Sequence, residues 1–248
     1  MVHRVAATAI GLALALAFGA CSGNDGDHDT LRVFAASSLT DAFAALEQEF
    51  ETRRPDVDVQ LTFDGSAALA TQIAEGAPAD VFAAADEDSY ARVQVARDVD
   101  VGVPFATNVL EVVAAAGDTR VQLLRDLART DLVVVLCASE VPCGRLADQM
   151  LEAASIPVRA ASREPNAQAV LTKVVLGEAD AGIAYATDVR NAANGVRGVR
   201  IPPEQNVETT YLIGATTDTA VRALAEEWIA FVRSTDGRRV LHELGFGP

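Results

Sequence analysis

Across residues 31–244 the chain keeps changing its hydrophobic period. Short apolar runs give way to segments whose apolar residues recur every three or four positions, and then return. An unbroken short run or a period of two suits a strand, whereas recurrence at three and four puts apolar side chains on one face of a helix. Residues 31–36 read as a strand. Leu39, Phe43, Leu46 and Phe50 follow at steps of four, three and four, with Ser38 and Asp41 spaced as a capping-box-like start. Residues 57–63 alternate as a strand, 67–75 form a helix stopped by Gly76, 79–83 a buried strand, 87–97 a polar helix and 108–116 a longer strand. In the second half, helices are expected at 121–129, 145–154 and 166–176, the last ended by Gly177, and strands at 132–136, 181–185 and 208–214. Two helices, 219–233 and 237–244, close the chain. Such alternation implies an α/β fold with parallel sheets covered on both faces.

The first twenty residues read differently. Arg4 is their only formal charge, and residues 5–18 are almost unbroken apolar sequence. Fourteen residues fall short of the ~20 that span a bilayer, so this is a secretory signal rather than a membrane helix. Phe18-Gly19-Ala20-Cys21 ends it, and small residues directly ahead of a cysteine resemble a bacterial lipobox. The expectation is a signal peptide at 1–20, a lipid on Cys21 and a polar tether over 21–30, with the fold starting at Leu31. That places the protein on the outer face of the cytoplasmic membrane, touching the bilayer through its anchor alone.

Loss of Arg4 takes the formal charge from −15 to −16. Nucleic-acid binding rests on phosphate neutralisation by Lys and Arg, so this charge argues against it. Two cysteines remain, Cys137 and Cys143, and in an exported compartment a disulfide between them is expected. The rival is a zinc site, for which only His28 and His242 are on offer, neither at metal-ligand spacing. Enzyme signals are thin. Lys173, the only lysine, follows no phosphate-loop glycine, there is no GxSxG, and no histidine sits where a triad needs its base. The chain reads as a binding protein without catalysis or cofactor.

Where a strand is expected to end and a helix to begin, small-residue turns occur: "FAASSLTDAF" from Phe34, "FDGSAALATQI" from Phe63, "VPCG" from Val141 and "EPNAQAVLTKV" from Glu164. Each puts free backbone N–H groups, and in two cases a serine hydroxyl, at a helix N-terminus. Such ends carry partial positive charge and unpaired donors, a ready anion site, and in open α/β sheets ligands gather at strand carboxyl ends. Fixed neutral dipoles hold a dianion at short range despite a net negative chain. For any one turn, serine as a favoured N-cap is the blander explanation; four converging turns favour a site.

These turns, together with "GAPADVF" and "GEADAGIAYATD", resemble the periplasmic molybdate-binding proteins of bacterial ABC transporters, in lipoprotein form, over nearly all of residues 31–246. The resemblance implies a type II periplasmic-binding-protein fold, with two α/β lobes, a two-strand hinge and an interlobe ligand cleft. Lobe 1 is expected to hold residues 31–107 and 215–248, and lobe 2 residues 108–214. The resemblance implies an oxyanion held by the hydroxyls of Ser38 and Ser66, backbone N–H groups of Cys143 and Ala167, and the Tyr185 hydroxyl. Three departures stand out: Asp64 before the Gly-Ser pair, Ala67 after it, and Cys143 where relatives commonly have alanine. A carboxylate in the cleft repels a dianion, so Asp64 is expected to point away. Molybdate is fully deprotonated at neutral pH and wants donors only, whereas hydrogen phosphate needs an acceptor. Molybdate, with tungstate, is therefore the expected ligand, delivered by a monomer to an ABC permease and its ATPase. Sulfate or another small anion is the alternative.

Overall fold

The computed structural model describes residues 29–96, 99–192 and 195–248. The signal, Cys21 and most of the tether lie outside them. The tether's last two residues do not: strand β1 is Asp29–Ala36, and Asp29 and Thr30 pair with Val57 and Asp58 of β2 (Val57–Asp64). The fold thus begins two residues before Leu31, because the backbone of those two polar residues completes the ladder.

The expected α/β architecture is present. After β1 and a 3-10 turn, Ser37–Leu39, comes α1 (Thr40–Arg53); β2 leads to α2 (Ser66–Ala74), and β3 (Val81–Ala84) to α3 (Glu87–Ala96). The long strand β4 (Val103–Ala115) precedes β5 (Val134–Cys137), α4 (Pro142–Ala153), β6 (Ala160–Glu164), α5 (Ala167–Val175), β7 (Ala181–Tyr185) and α6 (Ala186–Asn191). The chain continues through β8 (Val196–Arg200), β9 (Glu208–Ala215), α7 (Arg222–Val232) and α8 (Thr235–Glu243).

The strands run in the order β2-β1-β3-β9-β4-β7-β5-β6, with β8 also on β4. The expectation of parallel sheets holds only in part. β1 with β2 and β3, and β5 with β6 and β7, are parallel. Every antiparallel pairing between these strands involves β4 or β9. The reason is β4 itself: residues 103–109 pair with β9 and residues 110–115 with β7 and β8, so one strand passes from the first lobe into the second. Its partner changes at 109/110, close to the lobe boundary expected at 107/108. The boundary expected at 214/215 falls inside β9, which pairs with β3 and β4 along its length.

In the first lobe α1 buries Phe43, Leu46 and Phe50 against the sheet, with Trp228 of α7 edge-on to both phenylalanines at 5.9 and 5.2 Å. Full burial of side chains this size stabilises by ~1.5–3 kcal/mol each. In the second lobe every residue of β5 and β7 is buried, under Val170, Leu171 and Val174 of α5. Gly76 and Gly177 both take positive φ, +96° and +71°, which explains why they stop α2 and α5.

Other sequence expectations shift. Ser38 caps nothing and lies in the 3-10 turn, so the capping-box reading of Ser38 and Asp41 fails. The segment expected as a helix at 121–129 is a 3-10 turn, Leu124–Ala128. α4 starts at Pro142, three residues early, since a proline at the first helical position gives up an N–H that has no acceptor there. β6, α6 and β8 were not expected at all.

Candidate functional site

Six strand ends converge on one cavity. β1 contributes Ala36, Ser37 and Ser38; β2 contributes Gly65 and Ser66; Ala85 follows β3. From the second lobe come Val141, Pro142 and Cys143 after β5, Pro165 and Asn166 after β6, and Tyr185 at the end of β7. Four of the five residues expected to meet the anion, Ser38, Ser66, Cys143 and Tyr185, line this space together. Ala167 does not line it but follows the lining residue Asn166 and opens α5. The cavity has a volume of about 10 Å³, far below the roughly 300–1,000 Å³ of pockets that take drug-sized organic ligands. It suits a small ion. A roomier surface groove beside Glu111, Arg190 and Arg200 contains none of the expected residues.

The lining residues include no lysine, arginine or carboxylate. Asp64, the residue that most threatened an anion site, turns its Oδ1 to the Gly65 N–H at 2.7 Å and to Asn166 Nδ2 at 3.4 Å. It thereby ties the second turn of lobe 1 to the first turn of α5 in lobe 2. Asn166 caps α5 by accepting from the Ala169 N–H at 2.9 Å, which leaves the amides at Ala167 and its neighbour with no acceptor inside the helix.

The hydroxyls are held in a way that commits their protons. Ser66 is 1% exposed, and its Oγ accepts from the Ala85 N–H at 3.0 Å rather than capping α2. A hydroxyl that accepts from an amide keeps its proton for another partner. Ser38 Oγ lies 2.8 Å from the Tyr211 hydroxyl. The Tyr185 hydroxyl is buried without a hydrogen-bond partner among the described residues, and burial raises its pKa, so it stays a phenol. An unpaired buried hydroxyl is costly unless something accepts from it. The set can donate to an acceptor-rich ion and offers little to one that carries a proton.

The turn that brings Cys143 in is closed by a disulfide to Cys137, with α-carbons 5.8 Å apart. The bridge takes up both thiols that the rival zinc reading would have needed as ligands. At the rim, Arg145 of α4 forms an ion pair across the cleft with Asp86 and reaches Asp88 at 3.4 Å. Sequence reasoning missed Arg145, because its partners are 59 and 57 positions away. Asp188 lies deeper, in the first turn of α6. Burial, with a smaller contribution from Asp41, raises its carboxyl to about 7.

Two lobes joined by crossing strands, with helix N-termini around a small cavity between them, define a solute-binding protein. The sequence matches the bacterial extracellular solute-binding protein family over residues 31–247, and the chain belongs to that family. It is similar to the molybdate-binding protein ModA of Mycobacterium tuberculosis, 40% identical over 220 residues that cover 86% of this chain and 83% of that one. Among solved structures, the periplasmic molybdate-binding protein of Azotobacter vinelandii aligns with a TM-score of 0.73 at 20% identity, over 88% of this chain and 99% of the other. The sulfate-binding protein SubI of Mycobacterium tuberculosis aligns with 0.75 at 19%, over 89% and 87%. At such identities these two structures speak for the fold alone.

Proposed function

We propose that this protein captures molybdate, and tungstate with it, outside the cytoplasmic membrane and hands it to the permease of an ABC importer. The observation that carries this reading is the donor-only cavity. Ser66 is committed as a donor by the Ala85 amide, Tyr185 has a buried hydroxyl awaiting an acceptor, and no carboxylate lines the space. A fully deprotonated tetrahedral dianion satisfies every such group, whereas hydrogen phosphate brings a proton that no carboxylate of the lining is there to accept. The 40% identity to a molybdate-binding protein favours molybdate over sulfate, which has the same charge and shorter bonds.

In this reading Ser38, Ser66 and Tyr185 donate through hydroxyls, and Cys143 and Ala167 through backbone N–H groups at the starts of α4 and α5. The chain works as a monomer, tethered by a lipid on Cys21 once the signal is removed. No helix among the described residues is long and apolar enough to cross a membrane. Calorimetry of the purified protein with molybdate, tungstate, sulfate and phosphate tests the ligand. Molybdate and tungstate should compete for one site, with sulfate at least about a hundredfold weaker; equal affinity for sulfate rejects the assignment.

A further inference from the structure

Behind the cavity, two residues on the crossing strands form a buried chain of hydrogen bonds that ends at Ser38. Asn108 on β4 begins it. Its Oδ1 accepts from the Val109 N–H at 2.9 Å, and an N–H can only donate, so the amide has one orientation. Its Nδ2 therefore donates, to Thr187 Oγ1 at 2.8 Å and to the Tyr211 hydroxyl oxygen at 3.3 Å. With that oxygen accepting, the phenol proton needs an acceptor, and Ser38 Oγ at 2.8 Å is the one it meets among the described residues. Ser38 accepts in turn, and its own proton remains for the cavity that it lines.

We infer that Tyr211, oriented by Asn108, is a positioning residue that makes Ser38 an obligate donor to the bound oxyanion and so sets its selectivity. This rests on the cavity being the oxyanion site. The same strand serves the other serine. Thr209 lies two residues before Tyr211, on the same face of β9, and donates to the Ala85 carbonyl at 2.6 Å, while the Ala85 N–H donates to Ser66. One face of β9 thus orients both hydroxyls. A protonated anion would need Ser38 to offer a lone pair and turn its proton inward, where the Tyr211 proton already points. That conflict disfavours hydrogen phosphate without any charged residue in the lining.

The test is a double-mutant cycle read by calorimetry: the full chain, Tyr211→Phe, Ser38→Ala and the double variant, each with molybdate and with sulfate, and with phosphate as competitor. Phenylalanine keeps the ring contacts with Phe105, Tyr185 and Phe246. Tyr211→Phe should weaken molybdate binding about five- to tenfold in the native background and less than about twofold in the Ser38→Ala background. It should also narrow the ratio of molybdate to phosphate affinity. Equal losses in both backgrounds, or no loss in the native one, would overturn the inference, since packing alone predicts additivity. Asn108→Leu removes the donor into Tyr211 and reads the same coupling if Tyr211→Phe does not fold. A chain that prefers sulfate defeats the molybdate assignment, yet its sulfate cycle still decides the coupling.

Discussion

Gly65 in the first lobe meets Pro165 in the second so closely that a β-carbon on Gly65 would lie 2.8 Å from the Pro165 carbonyl oxygen. Real β-carbons essentially never come that close to a backbone oxygen, so the glycine permits this approach of the lobes. Gly65→Ala should hold the cleft slightly open. Its φ of −60° suits alanine, so the lobes themselves should fold. The expected result is oxyanion affinity down by about tenfold or more with an almost unchanged melting temperature without ligand. Scattering should also show a larger ligand-bound radius than in the native chain.

Arg145 closes the rim from the other side through Asp86 and Asp88. Its side chain is 24% exposed and that of Asp86 13%, whereas Asp88 is largely in solvent at 76%. A partly exposed pair of this kind is worth up to ~1 kcal/mol and is screened by salt. Arg145→Gln should therefore weaken ligand binding by about two- to fivefold at low ionic strength. The deficit should shrink as salt is added, and titrations at two salt concentrations check it. A salt-independent loss would point to packing instead.

Ser38→Ala and Ser66→Ala each remove a hydroxyl from a desolvated cavity. A hydrogen bond to a charged group is worth ~1.5–3 kcal/mol, so each variant should bind about 10- to 100-fold more weakly. Neither hydroxyl caps a helix, but Ser66→Ala strands the buried Ala85 N–H and Ser38→Ala the Tyr211 hydroxyl, so the melting temperature without ligand should fall too, by the equivalent of about 1–3 kcal/mol. Normal affinity in both would remove these serines from the site.

The Cys137–Cys143 disulfide closes a small loop, and two of the loop's residues, Val141 and Pro142, line the cavity along with Cys143 itself. Closing so short a ring constrains the unfolded chain by only ~2 kcal/mol in the chain-entropy model. Its larger consequence is a turn already ordered before ligand arrives. The paired replacement Cys137→Ala with Cys143→Ala keeps the amide at 143. It should weaken oxyanion binding by a larger share than it lowers the melting temperature. A large fall in melting temperature with unchanged affinity would assign the bridge to stability alone.

Asp188 gives the fold a pH dependence whose sign follows from burial. In the unfolded chain its carboxyl titrates near 3.8 and in the folded chain near 7. Between those values the folded state holds the extra proton, so stability from this group falls as pH rises from about 4 to 7 and stays at the lower level above. Asp188→Asn should raise the melting temperature at pH 8, with the gain fading toward pH 4. Melts across that range measure it. A gain independent of pH would mean that the carboxyl is not titrating.

Much of the architecture was legible because local chemistry dictated it. The 4-3-4 spacing of Leu39, Phe43, Leu46 and Phe50 announces the buried face of α1. Uninterrupted apolar sequence marks β7, whose five residues are all buried. Gly76 and Gly177 mark helix stops. The misses share a cause: β6 reads AASRE and β8 VRGVR, polar strands with little burial, whose backbone is recruited by a neighbour rather than by their own side chains. β4 was expected to start at Asn108 rather than Val103 because Pro104 interrupts the strand signal.

With Tyr185 added by the family resemblance alone, the residue order by itself pointed to serines and backbone amides at strand ends, with helix periodicity behind each, as groups that could serve an anion. That follows from short-range physics, since propensity, period and helix-end polarity act within a few residues. Tertiary structure alone decided what those groups do. Ser38 meets Tyr211 across 173 positions, Arg145 meets Asp86 across 59, and Asp64 meets Asn166 across 102. A hydroxyl becomes a committed donor only when a second group fills its lone pair, and a carboxylate beside the cleft becomes harmless only when amides turn it aside. Both conditions depend on where β4 and β9 carry the chain between the lobes.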